Sequence, residues 1–144
     1  MRKGNRQLAR SLVEETFAEV KRIQLKKYWA EQDEEARAKI VINPYQIFHA
    51  ALKNSTPLME TTLVIRGGIR YQVPVAVSPS KARSLAFRHL IRGVMEKPKS
   101  ERFYKHFARV LVDGAENTGR AVERKLRLHK LCEENRAYAH YRWT

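Results

Sequence analysis

Apolar residues in this chain recur at three- and four-residue steps almost everywhere, and a single stretch between two prolines breaks that period. Leu8, Leu12, Val13, Phe17 and Val20 make one stripe of an amphipathic helix. Arg10, Glu14 and Lys21 occupy its other side, as a surface helix requires. The stripe fades at Lys26-Lys27-Tyr28-Trp29, and 30–40 is charge-dense, which predicts a polar helical extension or connector. Asn43-Pro44 restarts the helical pattern. Asparagine caps well, and proline loses nothing at the first helical position, where its missing N–H has no intrahelical role. Ile47, Phe48, Ala51 and Leu52 then form a buried stripe that Asn54 and Pro57 close.

The exception runs from about 59 to 77. Thr61-Thr62-Leu63-Val64-Ile65 and Arg70-Tyr71-Gln72-Val73-Pro74-Val75 are rich in β-branched residues and flank Gly67-Gly68, which predicts a β-hairpin. Two registers are open to it. A two-residue Gly-Gly loop pairs Ile65 with Arg70; a three-residue loop pairs Ile65 with Tyr71 and Leu63 with Val73. The second is preferred, because it gives one apolar face and one carrying Arg66, Arg70 and Gln72. Like charges so placed repel, and an anionic partner would relieve them.

Helical spacing then returns. Ser78-Pro79 opens a helix with Leu85, Ala86, Leu90 and Val94 inward, ended by Lys97-Pro98-Lys99. Ser100 opens the next, with Phe103, Phe107, Val110 and Leu111, closing near Gly114 or Asn117. After Gly119 a last helix runs from about Arg120 to Tyr138 over Val122, Leu126, Leu131 and Cys132. The expected product is a mainly α fold: a single unit over 1–144, a helical bundle with one projecting two-stranded antiparallel β-hairpin. A chain of this length needs no disulfide or metal to hold a core, and Cys132 has no cysteine to pair with.

Charge narrows the function. Twenty-nine Lys and Arg against fifteen Asp and Glu give a net charge of +14, and self-repulsion of that size persists where a polyanion neutralises it. A membrane is not the expected partner: no apolar run nears the ~20 residues of a bilayer span. The basic residues are also spread along both halves, unlike a membrane-surface helix. Arg2, Lys3 and Arg6 precede the first helix, and Arg66 and Arg70 flank the hairpin tip. Lys81, Arg83, Arg88 and Arg92 lie on the following helix. Arg120, Arg124, Lys125, Arg127 and Lys130 lie on the last, spaced to meet successive phosphates. Any one of these can be a merely solvated side chain; the set points to nucleic acid.

The terminal Tyr138-Ala139-His140-Tyr141-Arg142-Trp143 interleaves rings with charge, a pattern able to stack on unpaired bases. Tyr138 is expected to anchor the terminus on the core; for Arg142 and Trp143, stacking and anchoring both stay open. Chemistry finds no purchase. His49, His89, His106, His129 and His140 sit on separate segments without a nucleophile motif. Glu133-Glu134 point to different sides of a helix, and Gly67-Gly68 matches neither nucleotide-binding glycine pattern. No enzyme, cofactor, metal or small-molecule substrate is expected.

The chain resembles ribosomal protein seven of the small subunit. The resemblance rests on three stretches: Asn43-Pro44 through Asn54, Arg66-Gly67-Gly68-Ile69-Arg70-Tyr71-Gln72-Val73-Pro74-Val75, and Asn135 through Trp143. It runs in order from about residue 4 to the end. It implies a helical bundle with a hairpin arm that binds rRNA in the small-subunit head and supports head assembly. The same resemblance implies a place near exit-site tRNA, the mRNA path and neighbouring ribosomal proteins. Gly4-Asn5-Arg6 would correspond to a glycine-basic rRNA-contacting loop before a helix, Arg66 and Arg70 to the arm, and Arg120–Lys130 to a basic rRNA-facing segment.

Two departures stand out. Family members carry a basic arm and another helix before that loop, so the face of 8–24 is expected to expose apolar surface. The connection at about 26–42 is longer than in bacterial members and looks like animal mitochondrial ones. It implies a mitochondrial ribosome, with a bacterial or other organellar one as the alternative. The competing reading is a general DNA-binding or RNA-chaperone-like basic helical protein.

Overall fold

The computed structural model describes residues 4–143. Within them the order is α1 (Arg6–Ala30), α2 (Glu34–Lys39), α3 (Pro44–Ser55), β1 (Met59–Arg66), β2 (Ile69–Ala76), α4 (Pro79–Met95), α5 (Phe103–Ala115) and α6 (Gly119–Glu134), then a 3-10 segment (Arg136–Arg142). The mainly helical architecture with one antiparallel hairpin is the one that the periodicity predicts.

The core lies where α1, α3, α4, α5 and α6 meet. Val20, Ile47, Ala51, Leu90, Ala108, Leu111, Val112 and Ala121 form its buried cluster. α3 and α5 approach closely because Gly114 has no side chain. A Cβ there would sit 3.2 Å from the Cβ of Ala51.

α3 ends in the middle of this packing, and the last carbonyls of a helix have no partners within it. Three of the four are hydrogen-bonded by groups beyond the helix. The Thr56 hydroxyl donates to Leu52 O at 2.7 Å, and Thr56 N donates to Lys53 O at 3.2 Å. Lys125 Nζ on α6 donates to Asn54 O at 2.9 Å, and the His89 ring on α4 lies against the Ser55 carbonyl. Asn54 in turn donates from Nδ2 to Gly114 O at 3.0 Å and Ala115 O at 2.9 Å, closing the end of α5. One helix end thereby ties three others together.

Several sequence expectations move. The charge-dense stretch divides: α1 continues to Ala30 and α2 occupies Glu34–Lys39. Arg37 fixes the corner, donating from Nε to Glu31 O at 2.6 Å. α5 begins at Phe103 rather than Ser100. α6 stops at Glu134, short of Tyr138, where the Asn135 side chain folds back and donates from Nδ2 to Leu131 O at 2.8 Å and the chain tightens into the 3-10 segment. Leu126 is 57% exposed, not core. Leu8 is 55% and Val13 40% exposed. They line an open apolar groove of about 560 Å³ with Leu12, Phe87, Ile91, Met95 and Phe103, so the first helix does carry exposed apolar surface.

The hairpin register is the clearest correction. Ile65 pairs with Arg70 and Arg66 with Ile69, the two-residue loop, not the three-residue one that pairs Ile65 with Tyr71 and Leu63 with Val73. Both turn glycines adopt positive φ, 56° at Gly67 and 79° at Gly68. That is the turn whose twist matches the strands and which few residues besides glycine can enter twice in succession. Turn geometry therefore outweighs the tidier separation of apolar and basic faces. One face carries Val64, Arg66, Tyr71 and Val73 toward the rest of the molecule. The other carries Leu63 and Ile65, each about two-thirds exposed, with Arg70 and Gln72 opposite them.

Candidate nucleic-acid interface

The predicted basic residues are distributed over four places. Arg2 and Lys3 lie outside the described residues. Gly4, Asn5 and Arg6 are less a loop than a helix start: the Asn5 side chain accepts from Leu8 N at 3.2 Å, and Arg6 is the first residue of α1. Asn5 is therefore committed to capping, while Arg6 is exposed.

On the arm, the register separates residues expected to share a face. Arg70 and Gln72 stand on the outer face with Leu63 and Ile65. Arg66 lies on the inner face, its guanidinium 5.5 Å from the Tyr141 ring centroid. The terminal 3-10 segment lies along this inner face. Tyr71 packs against Tyr138 at 5.0 Å and Tyr141 at 5.1 Å, and those two rings stack on each other. Tyr138 anchors the terminus as expected, but on the arm rather than on the helical core. Arg142 and Trp143 reach beyond this contact, the guanidinium 4.3 Å from the indole centroid. Trp143 is 79% exposed. The tyrosine contacts between tail and arm were missed in the sequence; the single arm tyrosine, Tyr71, facing a tyrosine-bearing tail was their only signal.

On α4, Arg83 and Arg88 are exposed and, among the described residues, form no ion pair. Lys81 instead pairs with Glu60 at the root of β1. On α6, Lys130 is exposed and unpaired among the described residues. Arg127 pairs loosely with Glu123 at 3.4 Å, and Arg120 and Arg124 both engage Glu96. Lys125 turns inward to Asn54 O, so its position on a basic helix misleads: its contact is structural.

Two of the histidines, His89 and His129, sit in structural contacts, while His49 and His140 are exposed. Burial lowers the His89 pKa, with Arg124 and Arg92 adding to the effect against the opposing pull of the Ser55 carbonyl. Burial also lowers that of His129, helped by Lys125. His129 Nε2 accepts from Leu58 N at 3.0 Å, a bond that the neutral ring makes and that fastens the arm's root to α6. Among the described residues no group of His, Cys, Asp and Glu is placed to hold a metal ion, and no helix is long and apolar enough to cross a membrane.

Bundle, arm and exposed cations define a basic helical scaffold with a hairpin projection. The sequence profile of ribosomal protein S7p/S5e matches residues 1–136. The chain is 41% identical over 144 residues to small ribosomal subunit protein uS7m of Xenopus laevis, covering 99% of this chain and 61% of that one. It is 38% identical over 143 residues to the uS7m of Drosophila melanogaster, covering 99% and 65%. Against small ribosomal subunit protein uS7 of Heliobacterium modesticaldum it is 43% identical over 101 residues, covering 70% and 64%. The chain belongs to the ribosomal protein S7p/S5e family. It spans about 60% of the length of the mitochondrial relatives it matches.

Proposed function

We propose that this chain is a structural constituent of the small subunit of the mitochondrial ribosome, binding small-subunit rRNA in the head and supporting head assembly. The observation that carries this reading is the similarity to uS7m proteins along 99% of the chain, whereas the bacterial match covers 70%. The difference favours a mitochondrial over a bacterial ribosome.

The proposed action is charge neutralisation by a rigid scaffold. Arg83 and Arg88 on α4, Arg127 and Lys130 on α6, and Arg6 at the start of α1 would meet phosphates of converging RNA helices. The arm and tail would reach further, toward exit-site tRNA, mRNA or a neighbouring ribosomal protein. Arg70 and Gln72 would serve as polar contacts there and Trp143 as a stacking surface. Exposed Leu63 and Ile65 beside Arg70 support a contact surface on the arm, because apolar side chains at an isolated hairpin tip gain nothing from solvent.

Filter binding of the full chain to a small-subunit head rRNA transcript and to duplex DNA of equal length, across a salt series, tests this. Tighter binding to the rRNA at every salt concentration is expected. Equal affinities with equal salt slopes would leave only counterion release and favour the general nucleic-acid-binding reading.

A further inference from the structure

α4 ends at Met95, and Glu96 caps it directly opposite the start of α6. Its carboxylate bridges two arginines one helical turn apart: Oε2 accepts from Arg120 Nη1 at 2.5 Å, and Oε1 accepts from Arg124 Nη2. With Arg127 and Glu123 these groups line an open depression of about 370 Å³. Three guanidiniums thus share a space with two carboxylates, and the depression keeps a net positive charge.

Glu96 gives one oxygen to each arginine, the same division that the two non-bridging oxygens of a phosphodiester would make. The position of Glu96 is unfavourable on its own helix, since a carboxylate at a C-terminus faces the negative end of the dipole. Glu96 and Arg120 are open to water, 39% and 60% exposed, while Arg124 is 29% exposed with its Nε buried and unpartnered among the described residues, so exchanging the anion on Arg120 carries little desolvation cost.

We propose that this depression seats one backbone phosphodiester of the RNA, and that Glu96 occupies the phosphate's place in the free protein and leaves when RNA binds. The inference rests on α6 facing RNA, as proposed above. Two non-bridging phosphate oxygens can accept from both arginines while releasing counterions to solvent, which an intramolecular carboxylate does not. Glu96 then has two effects: it holds Arg120 and Arg124 in a parallel, ready arrangement, and it sets a threshold that non-specific polyanions must overcome.

The test is a double-mutant cycle on the full chain, with affinity for a head rRNA transcript measured at about 0.1 M salt. Glu96→Gln is expected to tighten binding by roughly threefold or more, the scale of an exposed ion-pair exchange. In an Arg120→Met, Arg124→Met background that gain is expected to vanish. Weaker or unchanged binding of the Gln variant would overturn the proposal, because Glu96 would then be a fixed structural tie. A gain persisting without the two arginines would overturn it too, showing only an effect of net charge. If the arginine double variant binds as tightly as the parent chain, the depression does not seat RNA and this proposal fails, while the RNA-binding reading carried by Arg83, Arg88, Arg127 and Lys130 stands or falls by the rRNA-against-DNA comparison above. Circular dichroism of each variant separates misfolding from these outcomes.

Discussion

Lys125→Met separates a structural lysine from the cations proposed to face RNA that surround it in sequence. Methionine keeps the aliphatic stem and its packing while deleting the ammonium. What is lost is the 2.9 Å bond to Asn54 O. That carbonyl belongs to the end of α3, which helical hydrogen bonds leave open. A hydrogen bond from a charged donor contributes about 1.5–3 kcal/mol, and a cation at a helix C-terminus adds a few tenths. Partial rescue by water reduces this, so the expected loss is about 1–3 kcal/mol. For a chain of this size it corresponds to a melting temperature lower by roughly 3–9 °C. The assay pairs thermal unfolding followed by circular dichroism with rRNA affinity measured well below the transition. Lys130→Met, on the exposed side of the same helix, is the control and is expected to do the reverse: little change in melting, weaker binding. A Lys125→Met melting shift under about 1 °C, with affinity lost as in the control, would refute the capping role.

Three further outcomes follow from the geometry. His89 and His129 are neutral and depressed in pKa by burial, so below the free-imidazole value of 6.5 the unfolded chain binds protons that the folded chain does not. Stability is therefore expected to be full above that value and to fall as pH drops through it toward the folded pKa values. Denaturant unfolding across the range checks this, and His129→Gln should flatten part of the slope. Gly68→Val places a β-branched residue at a φ of 79° with nothing within 4 Å of its Cβ, so only backbone strain opposes it, about 1–2 kcal/mol or more. Faster amide exchange at Val64 and Tyr71, with melting of the bundle unchanged, is the expected signature; unchanged protection would contradict the two-residue turn. Arg70→Glu should weaken rRNA binding without loosening the tail, whereas Arg66→Glu should also mobilise Tyr141, read by its ring resonances.

The long helices α1, α3, α4, α5 and α6 were legible because each carries a stripe wide enough to bury, and Asn43-Pro44 and Ser78-Pro79 mark two starts within a residue. The hairpin was legible for the opposite reason, a change of period around two glycines. Its register was not. Alternation of side chains favoured one answer and the turn dihedrals another, and the strands are too exposed at the tip for burial to decide. The end of α6 was missed because Arg136-Ala137-Tyr138 has good helical composition, and the return of the Asn135 side chain onto Leu131 marks where it stops. For the candidate interface, sequence supplies the charges but not their pairing. Arg83, Arg88 and Lys130 stay exposed, while Lys81 finds Glu60 across 21 residues, Arg120 and Arg124 find Glu96, and Lys125 finds a carbonyl 71 residues away. Such long-range partners leave no periodic trace.

Sedimentation of the tagged chain from mitochondrial extract through a sucrose gradient tests the central claim most directly. The account predicts that it travels with small-subunit fractions and stays there through a salt wash that removes loosely bound basic proteins. A chain found only at the top of the gradient, with intact small subunits further down, would contradict it.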